Sequence, residues 1–104
     1  MAVIKGVIIQ RTTALNLEEL CRAVQVQDEL IIELIEQHLI QPCIGDAPDN
    51  WAFDDISLRR AKIAASFKRD LEMNLSGIAL ALELLDKIEY LENQLALLQH
   101  PYEK

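Results

Sequence analysis

The sequence has 104 residues, of which 51% are hydrophobic and 26% charged, a composition that suits one globular domain without disulfide or metal staples. It contains neither an apolar run of about 18 residues nor a signal-peptide pattern, so we expect a cytoplasmic protein with no membrane association. The net charge of −7 is unevenly spread, since residues 17–58 hold ten acids and one base while residues 59–69 hold five bases and no acid. The acidic part repels phosphate and attracts a basic partner.

Two short elements are predicted at the start of the chain. The β-branched stretch VIKGVIIQ, residues 3–10, predicts a strand at the edge of a sheet. Asn16 is a suitable N-cap for a brief helix over residues 17–24, and Glu19 completes an approximate capping box. The apolar side chains of this helix follow the spacing of one buried stripe: Leu17, Leu20, Cys21 and Val24.

A second helix is predicted over residues 28–38, where a helix-turn-helix protein would carry its DNA-reading helix. Pro42 is expected to end it, because the residue before a proline avoids helical geometry. The extended pieces QPCI and WAF then flank a turn-rich segment, which predicts a small β-hairpin, or wing, over residues 41–53. Trp51 and Phe53 are expected to anchor the wing on the core; a binding role for these aromatic residues is the alternative.

Two longer helices are predicted to complete the chain. Asp54 or Asp55 can cap the third, over residues 56–73, and Ser76 can cap a fourth that starts at Gly77 and is stopped by Pro101. The fourth helix has apolar residues at alternating spacings of three and four, as in a coiled coil: Ala81, Leu84, Ile88, Leu91, Leu95 and Leu98. The repeat is short, so a helix packed wholly on its own domain is the alternative to a dimer.

These elements predict a domain organisation. We expect a winged helix-turn-helix-like domain over residues 1–75, a long C-terminal helix over residues 76–100, and a tail over residues 101–104. The N-terminal half of the long helix should pack inside the domain, and its C-terminal half should pair with a second subunit. The proposed dimer contacts are Leu84, Ile88, Leu91, Leu95 and Leu98.

The order of the elements resembles the MerR-like winged helix-turn-helix superfamily, and within it the CbpM-type chaperone modulatory proteins. The pieces that carry the resemblance are LEELC at 17–21, VQDELIIELI at 26–35, LIQP at 39–42, WAFDD at 51–55, LRRA at 58–61 and DLEMNLSGIALALELLDKIEYL at 70–91. The resemblance implies a mainly α fold with a short strand or hairpin and a long C-terminal dimerisation helix. It also implies a chaperone modulator that binds the J-domain of a DnaJ-like co-chaperone and inhibits its action with a DnaK-type chaperone, without catalysis or a cofactor.

The second helix is the candidate site for this interaction. On a helical wheel, carboxylates surround one aliphatic side chain, Ile32, on the side opposite the apolar stripe. An apolar anchor with a charged rim suits a basic partner helix, such as the one J-domains carry. The alternative is an ordinary solvated helix with one exposed aliphatic residue. The candidate partner-binding residues are Asp28, Glu29, Ile32, Glu33 and Glu36.

Nucleic acid is a less suitable partner for this helix. DNA binding depends largely on neutralising phosphates, and the carboxylates from position 28 to position 36 would oppose entry into the groove. A MerR-type DNA-binding transcriptional regulator is nevertheless the alternative function, and a structural adaptor whose long helix bridges partners is a further rival. The basic run is expected to pair with acids of the same protein or a second subunit rather than with phosphate: Arg59, Arg60, Lys62, Lys68 and Arg69.

The remaining residue types do not assemble into a chemical site. Cys21 and Cys43 form no Cys-x-x-Cys pattern, so buried thiols are expected rather than a metal or redox pair. His38 is expected to be a C-terminal cap or partly buried, and no nucleophile, base and orienting group can be combined. We therefore expect no enzyme, no metal or cofactor and no small-molecule substrate.

Overall fold

The computed structural model describes residues 14–99. They form four helices: α1 (Leu17–Val24), α2 (Asp28–Glu36), α3 (Asp55–Leu71) and α4 (Leu75–Gln99). The mainly α fold predicted from the sequence is therefore confirmed. The strand predicted over residues 3–10 and the tail over residues 101–104 lie outside the described residues. Among the described helices, none has the combination of length and apolarity that crossing a membrane requires.

Helix α1 begins where the sequence predicts, because its first backbone N–H groups are satisfied by side chains. The side-chain oxygen of Asn16 accepts a hydrogen bond from the Glu19 N–H at 2.8 Å, and the Glu19 carboxylate accepts one from the Asn16 N–H at 2.9 Å. This reciprocal pair is a capping box and confirms that prediction. Leu20 and Val24 then bury one side of the helix against the core.

Helix α2 ends two residues earlier than predicted, at Glu36 instead of His38. The reason is a left-handed backbone at His38, with φ of 61°. The His38 N–H donates to the Ile35 carbonyl at 2.9 Å, and the Leu39 N–H donates to the Leu34 carbonyl at 2.8 Å. These two bonds form a Schellman motif, which closes the helix before Pro42 is reached. His38 therefore acts as a C-terminal cap through its backbone, as one of the two predicted alternatives has it, whereas its side chain is exposed and not partly buried.

The predicted wing is confirmed as a small hairpin closed by an antiparallel bridge between Ile44 and Ala52. A second antiparallel bridge joins Leu15 to Phe53, so the chain segment before α1 extends the pairing. Phe53 is fully buried, and the half-buried Trp51 contacts it edge to face with ring centroids 6.0 Å apart. The two aromatic residues therefore anchor the wing on the core, as predicted.

The turn of the wing depends on Asn50 and Gly45. The Asn50 side-chain oxygen accepts hydrogen bonds from the N–H groups of Asp46 and Ala47, each at 3.0 Å. Gly45 has φ of +100°, and a Cβ at this position would lie 2.2 Å from the Asn50 carbonyl oxygen. Glycine is therefore required there, both for the backbone conformation and for the space.

Helix α3 begins after the N-cap Asp54, whose carboxylate accepts from the Ser57 N–H at 3.1 Å, so one of the two predicted caps is confirmed. It ends at Leu71, two residues before the predicted position 73. Glu72 adopts a left-handed conformation with φ of 54°, and its N–H donates to the Phe67 carbonyl. As in α2, a left-handed residue ends the helix.

Helix α4 starts at Leu75, so the predicted start at Gly77 with Ser76 as its cap was wrong. The side-chain oxygen of Asn74 accepts from the Gly77 N–H at 2.8 Å, and Asn74 therefore caps the helix. Asparagine and serine are both favourable N-cap residues, and Asn74 and Ser76 lie two positions apart. The choice of Ser76 therefore placed the predicted start two residues too late.

The hydrophobic core lies where α1, α2, α3 and the wing meet. Its fully buried large side chains are Phe53, Leu20, Ile31, Leu34, Ile78 and Leu82. Small residues on α3 allow close packing of its neighbours: Ala61, Ala64 and Ala65. Helix α4 supplies only Ile78 and Leu82 to the buried set, so most of its length lies on the surface.

Candidate partner-binding surfaces

The predicted partner-binding residues lie on the exposed side of α2. Leu30, Ile31 and Leu34 point into the core and are buried. The other side is formed by residues at spacings of three and four, which share a helix face. Together with Asp28 at the start of the helix they are called here the α2 face: Asp28, Glu29, Ile32, Glu33 and Glu36. Its four carboxylates are exposed, and Ile32 is half-buried.

The negative charge of the α2 face is not neutralised by residues 14–99. Within this range the ion pairs join Arg22 to Glu18, Arg60 to Asp86 and Arg69 to Asp70. None of them includes a carboxylate of the α2 face. Helix α2 also has no basic residue in its last turn. The four carboxylates therefore have no ion-pair partner within residues 14–99 and are accessible to basic side chains of another protein.

The four carboxylates of the α2 face differ in how they interact with the helix dipole. Asp28 and Glu29 are in the first turn, where the helix dipole favours negative charge. Glu33 and Glu36 are near the C-terminal end, where the dipole disfavours it by about 0.3 to 1 kcal/mol per charge. The sequence thus places Glu33 and Glu36 at positions where their charges do not stabilise the helix.

The five predicted dimer contacts form an exposed apolar stripe on α4. We call it the α4 stripe: Leu84, Ile88, Leu91, Leu95 and Leu98. Their exposed fractions run from 49% to 74%, whereas Ile78 and Leu82, in the N-terminal part of the same helix, are each 1% exposed. Leu97, also in the last turns, is exposed as well. A contiguous apolar surface of this kind is typical of a protein–protein contact.

A groove runs between α3 and α4 beside the α4 stripe. Its apolar lining comes from both helices and includes Ile56, Ile63, Leu85 and Ile88. Charged side chains also line it: Asp55, Arg59, Arg60, Asp86, Glu89 and Glu92. Ile56 on α3 is 68% exposed, so the exposed apolar surface extends from the α4 stripe onto α3.

Some residues of the basic run form ion pairs with residues 14–99 and others do not. Arg60 pairs with Asp86 at 2.7 Å, and Arg69 contacts Asp70 at 3.4 Å, which agrees with the prediction of intramolecular pairing. The exposed residues Arg59, Lys62 and Lys68 form no ion pair with residues 14–99. Lys68 lies on a different side of α3 from Arg59, so the run does not form one continuous track for phosphates.

Arg60 has a contact that the sequence did not indicate. Its Nε donates a hydrogen bond to the backbone carbonyl of Leu39, in the segment that follows α2, at 2.6 Å. No pattern in the sequence relates positions 39 and 60, which are 21 residues apart. The sequence signal for this contact was weak: of the two adjacent arginines, Arg60 is the one on the inner side of α3.

The two cysteines differ in their surroundings. Cys21 is half-buried, and burial, followed by the nearby charge of Asp28, raises the pKa of its thiol. Cys43 is exposed, so the prediction of a buried thiol was wrong for this residue. The wing packs on the core through Trp51 and Phe53, which leaves the Cys43 thiol at the surface, where it donates to the Ala52 carbonyl at 3.3 Å. Residues 14–99 contain no cluster of His, Cys, Asp and Glu suited to a metal ion.

Comparison with known proteins agrees with this architecture. The model of the family described as MerR HTH family regulatory protein matches residues 15–100. The chain is 55% identical over 97 residues to the chaperone modulatory protein CbpM of Coxiella burnetii, covering 93% of this chain and 91% of the relative. It is 34% identical over 85 residues to CbpM of Pseudomonas putida, covering 82% and 83% of the two chains. The resemblance stated from the sequence is thereby confirmed: the chain belongs to the MerR HTH family of regulatory proteins and, within it, to the CbpM chaperone modulatory proteins.

Proposed function

We propose that this chaperone modulator binds the J-domain of a DnaJ-like co-chaperone through the α2 face and thereby inhibits its action with a DnaK-type chaperone. The observation that carries the proposal is the set of four exposed carboxylates with no ion-pair partner among residues 14–99. J-domains carry a basic helix with which they engage DnaK-type chaperones, so a carboxylate-rich face has the complementary charge. A protein bound to that helix would prevent the J-domain from engaging the DnaK-type chaperone.

The charged and apolar residues of the α2 face have different roles in this proposal. Glu29, Glu33 and Glu36 attract the basic helix over a distance and so increase the association rate, an effect that salt screens. Ile32 packs against the apolar part of the partner helix and lowers the dissociation rate. Because Ile32 is half-buried, only part of its side chain is available for this contact.

The α4 stripe pairs with a second copy of the chain in the same proposal. Its support is the apolar surface of five large residues on a helix that extends beyond the buried turn at Leu82. Burial of such a surface releases about 25 cal/mol for every Å² removed from water, which favours stable association. The protein then presents two α2 faces, one on each subunit.

The test compares two triple variants that change the net charge equally. One carries Glu29→Gln, Glu33→Gln and Glu36→Gln on α2, and the control carries Glu83→Gln, Glu89→Gln and Glu92→Gln on α4. Binding to the isolated J-domain is measured by surface plasmon resonance at low and high salt. We expect the α2 variant to associate about tenfold more slowly at low salt and the control to stay near wild type. Equal J-domain binding by the α2 variant and wild type would reject this site.

A further inference from the structure

The segment that follows α2 is fixed by two side chains of α3. The Leu39 carbonyl accepts from Arg60 Nε at 2.6 Å, and the Gln41 carbonyl accepts from the Ser57 hydroxyl at 2.8 Å. Ser57 is buried, and Ile40, between the two carbonyls, is buried in the core. The position at which the chain leaves α2 is therefore determined by α3.

Leu39 connects the last turn of α2 to this contact. Its N–H donates to the Leu34 carbonyl within α2, while its own carbonyl accepts from Arg60. The preceding residue, His38, has the left-handed backbone that non-glycine residues adopt at a cost. The bonds of Leu39, next to His38, help to hold this conformation.

Arg60 is in turn oriented by α4. Its Nη1 donates to Asp86 Oδ1 at 2.7 Å. The guanidinium is planar, so the direction of one N–H fixes the direction of the others. The bond to Asp86 and the bond to the Leu39 carbonyl therefore constrain the orientation of the same guanidinium. The Arg60 side chain is 23% exposed and that of Asp86 54%, so the bond to Leu39 is the more sheltered of the two.

We propose that Arg60 is a positioning residue for the α2 face and that Asp86 controls it from α4. This inference rests on the proposed function, because the α2 face is the surface that binds the J-domain there. Arg60 and Asp86 both line the groove between α3 and α4. Loss of the bond to Asp86 frees the Arg60 guanidinium to turn, which weakens its bond to the Leu39 carbonyl and loosens the end of α2, where Glu36 lies.

The first measurement does not need the partner. Amide hydrogen exchange of Leu39 and its neighbours is followed by NMR in wild type, in Arg60→Met, in Asp86→Ala and in Asp86→Glu. In Asp86→Ala we expect the Leu39 amide to exchange about tenfold faster, because the end of α2 opens locally more often. Asp86→Glu keeps a carboxylate and should restore most of the protection. The control is Glu83→Ala, which removes another exposed acid of α4 and should leave Leu39 unchanged.

The second measurement is the affinity of the same variants for the isolated J-domain. We expect about threefold to tenfold weaker binding by Asp86→Ala and Arg60→Met, and near wild-type binding by Glu83→Ala and Asp86→Glu. Wild-type exchange and affinity in Asp86→Ala would overturn the proposal, as would faster exchange at Leu39 without a change in affinity. An equal loss of affinity in Glu83→Ala would mean that α4 acids contact the partner directly and would also overturn it. If wild type does not bind a J-domain, the proposed function fails, whereas the exchange of Leu39 still decides whether Arg60 positions α2.

Discussion

The α2 face and the α4 stripe are two exposed helix surfaces of opposite chemistry. The α2 face combines four carboxylates with one half-buried isoleucine, and three large residues on the other side of this nine-residue helix are buried. The α4 stripe has five exposed aliphatic residues on a helix of 25 residues that buries only Ile78 and Leu82. Charged surfaces favour fast and reversible encounters, whereas large apolar surfaces favour lasting association. This difference fits the proposed function, in which α2 binds an exchanging partner and α4 a permanent one.

The largest effect is expected from breaking the apolar side of this comparison. Replacing both Leu91 and Leu95 by Asp places charges inside the proposed helix pair, so the dimer should dissociate at least about 100-fold more readily. Sedimentation velocity over a range of protein concentrations measures this change. The control is Leu71→Asp, which adds one charge at an equally exposed leucine outside α4. Wild-type sedimentation of the double variant would exclude pairing through the stripe.

The next effect concerns the single apolar residue of the α2 face. Ile32→Asp should weaken J-domain binding about 30-fold, mainly through faster dissociation, because an interface anchor is replaced by a desolvated charge. The matched control is Ile44→Asp in the wing, where the isoleucine is 63% exposed. If both substitutions had the same effect, the loss would come from the added negative charge, and Ile32 would not be an anchor.

A smaller effect separates function from stability within α2. Glu36→Gln removes a carboxylate from the C-terminal end of the helix and should raise the free energy of unfolding by about 0.3 to 1 kcal/mol. Glu29→Gln removes one from the first turn and should lower it by a similar amount. Both should slow association with the J-domain at low salt. Thermal denaturation and binding kinetics of the two variants check this; stability changes of the same sign would argue against the role of the helix dipole.

The smallest expected signal is DNA binding. A gel shift at low salt with duplex DNA from upstream of the protein's own coding region should show no retarded band, because the position of the reading helix is acidic. Wild type is compared with a variant carrying Arg59→Gln and Lys62→Gln, which removes two exposed bases of α3. A band in wild type that the variant loses would favour the MerR-type regulator and a contact through α3.

Local interactions made part of this molecule predictable from sequence. The capping box at Asn16 and the cap at Asp54 depend on residues three positions apart, so the pattern contains all that is needed. The amphipathic pattern of α2 likewise identifies which side chains are buried and which form the α2 face. These features require no knowledge of the rest of the fold.

The errors and omissions have physical causes of a different kind. Left-handed residues that end helices are usually glycine or asparagine, and His38 and Glu72 are neither, so the ends of α2 and α3 were misplaced. The start of α4 required a choice between two good caps, Asn74 and Ser76. The bond from Arg60 to Leu39 joins residues far apart in sequence and depends on how α3 packs, which periodicity does not encode.

The three left-handed residues that end α1, α2 and α3 also offer a route to engineering. Gln25, His38 and Glu72 have φ of 66°, 61° and 54°. Glycine accepts this conformation without the penalty of about 1 kcal/mol that a Cβ brings. None of the three belongs to the α2 face or the α4 stripe. A variant with glycine at all three positions should melt at a higher temperature with both surfaces intact, and would be a good starting material for crystallising the protein with its partner.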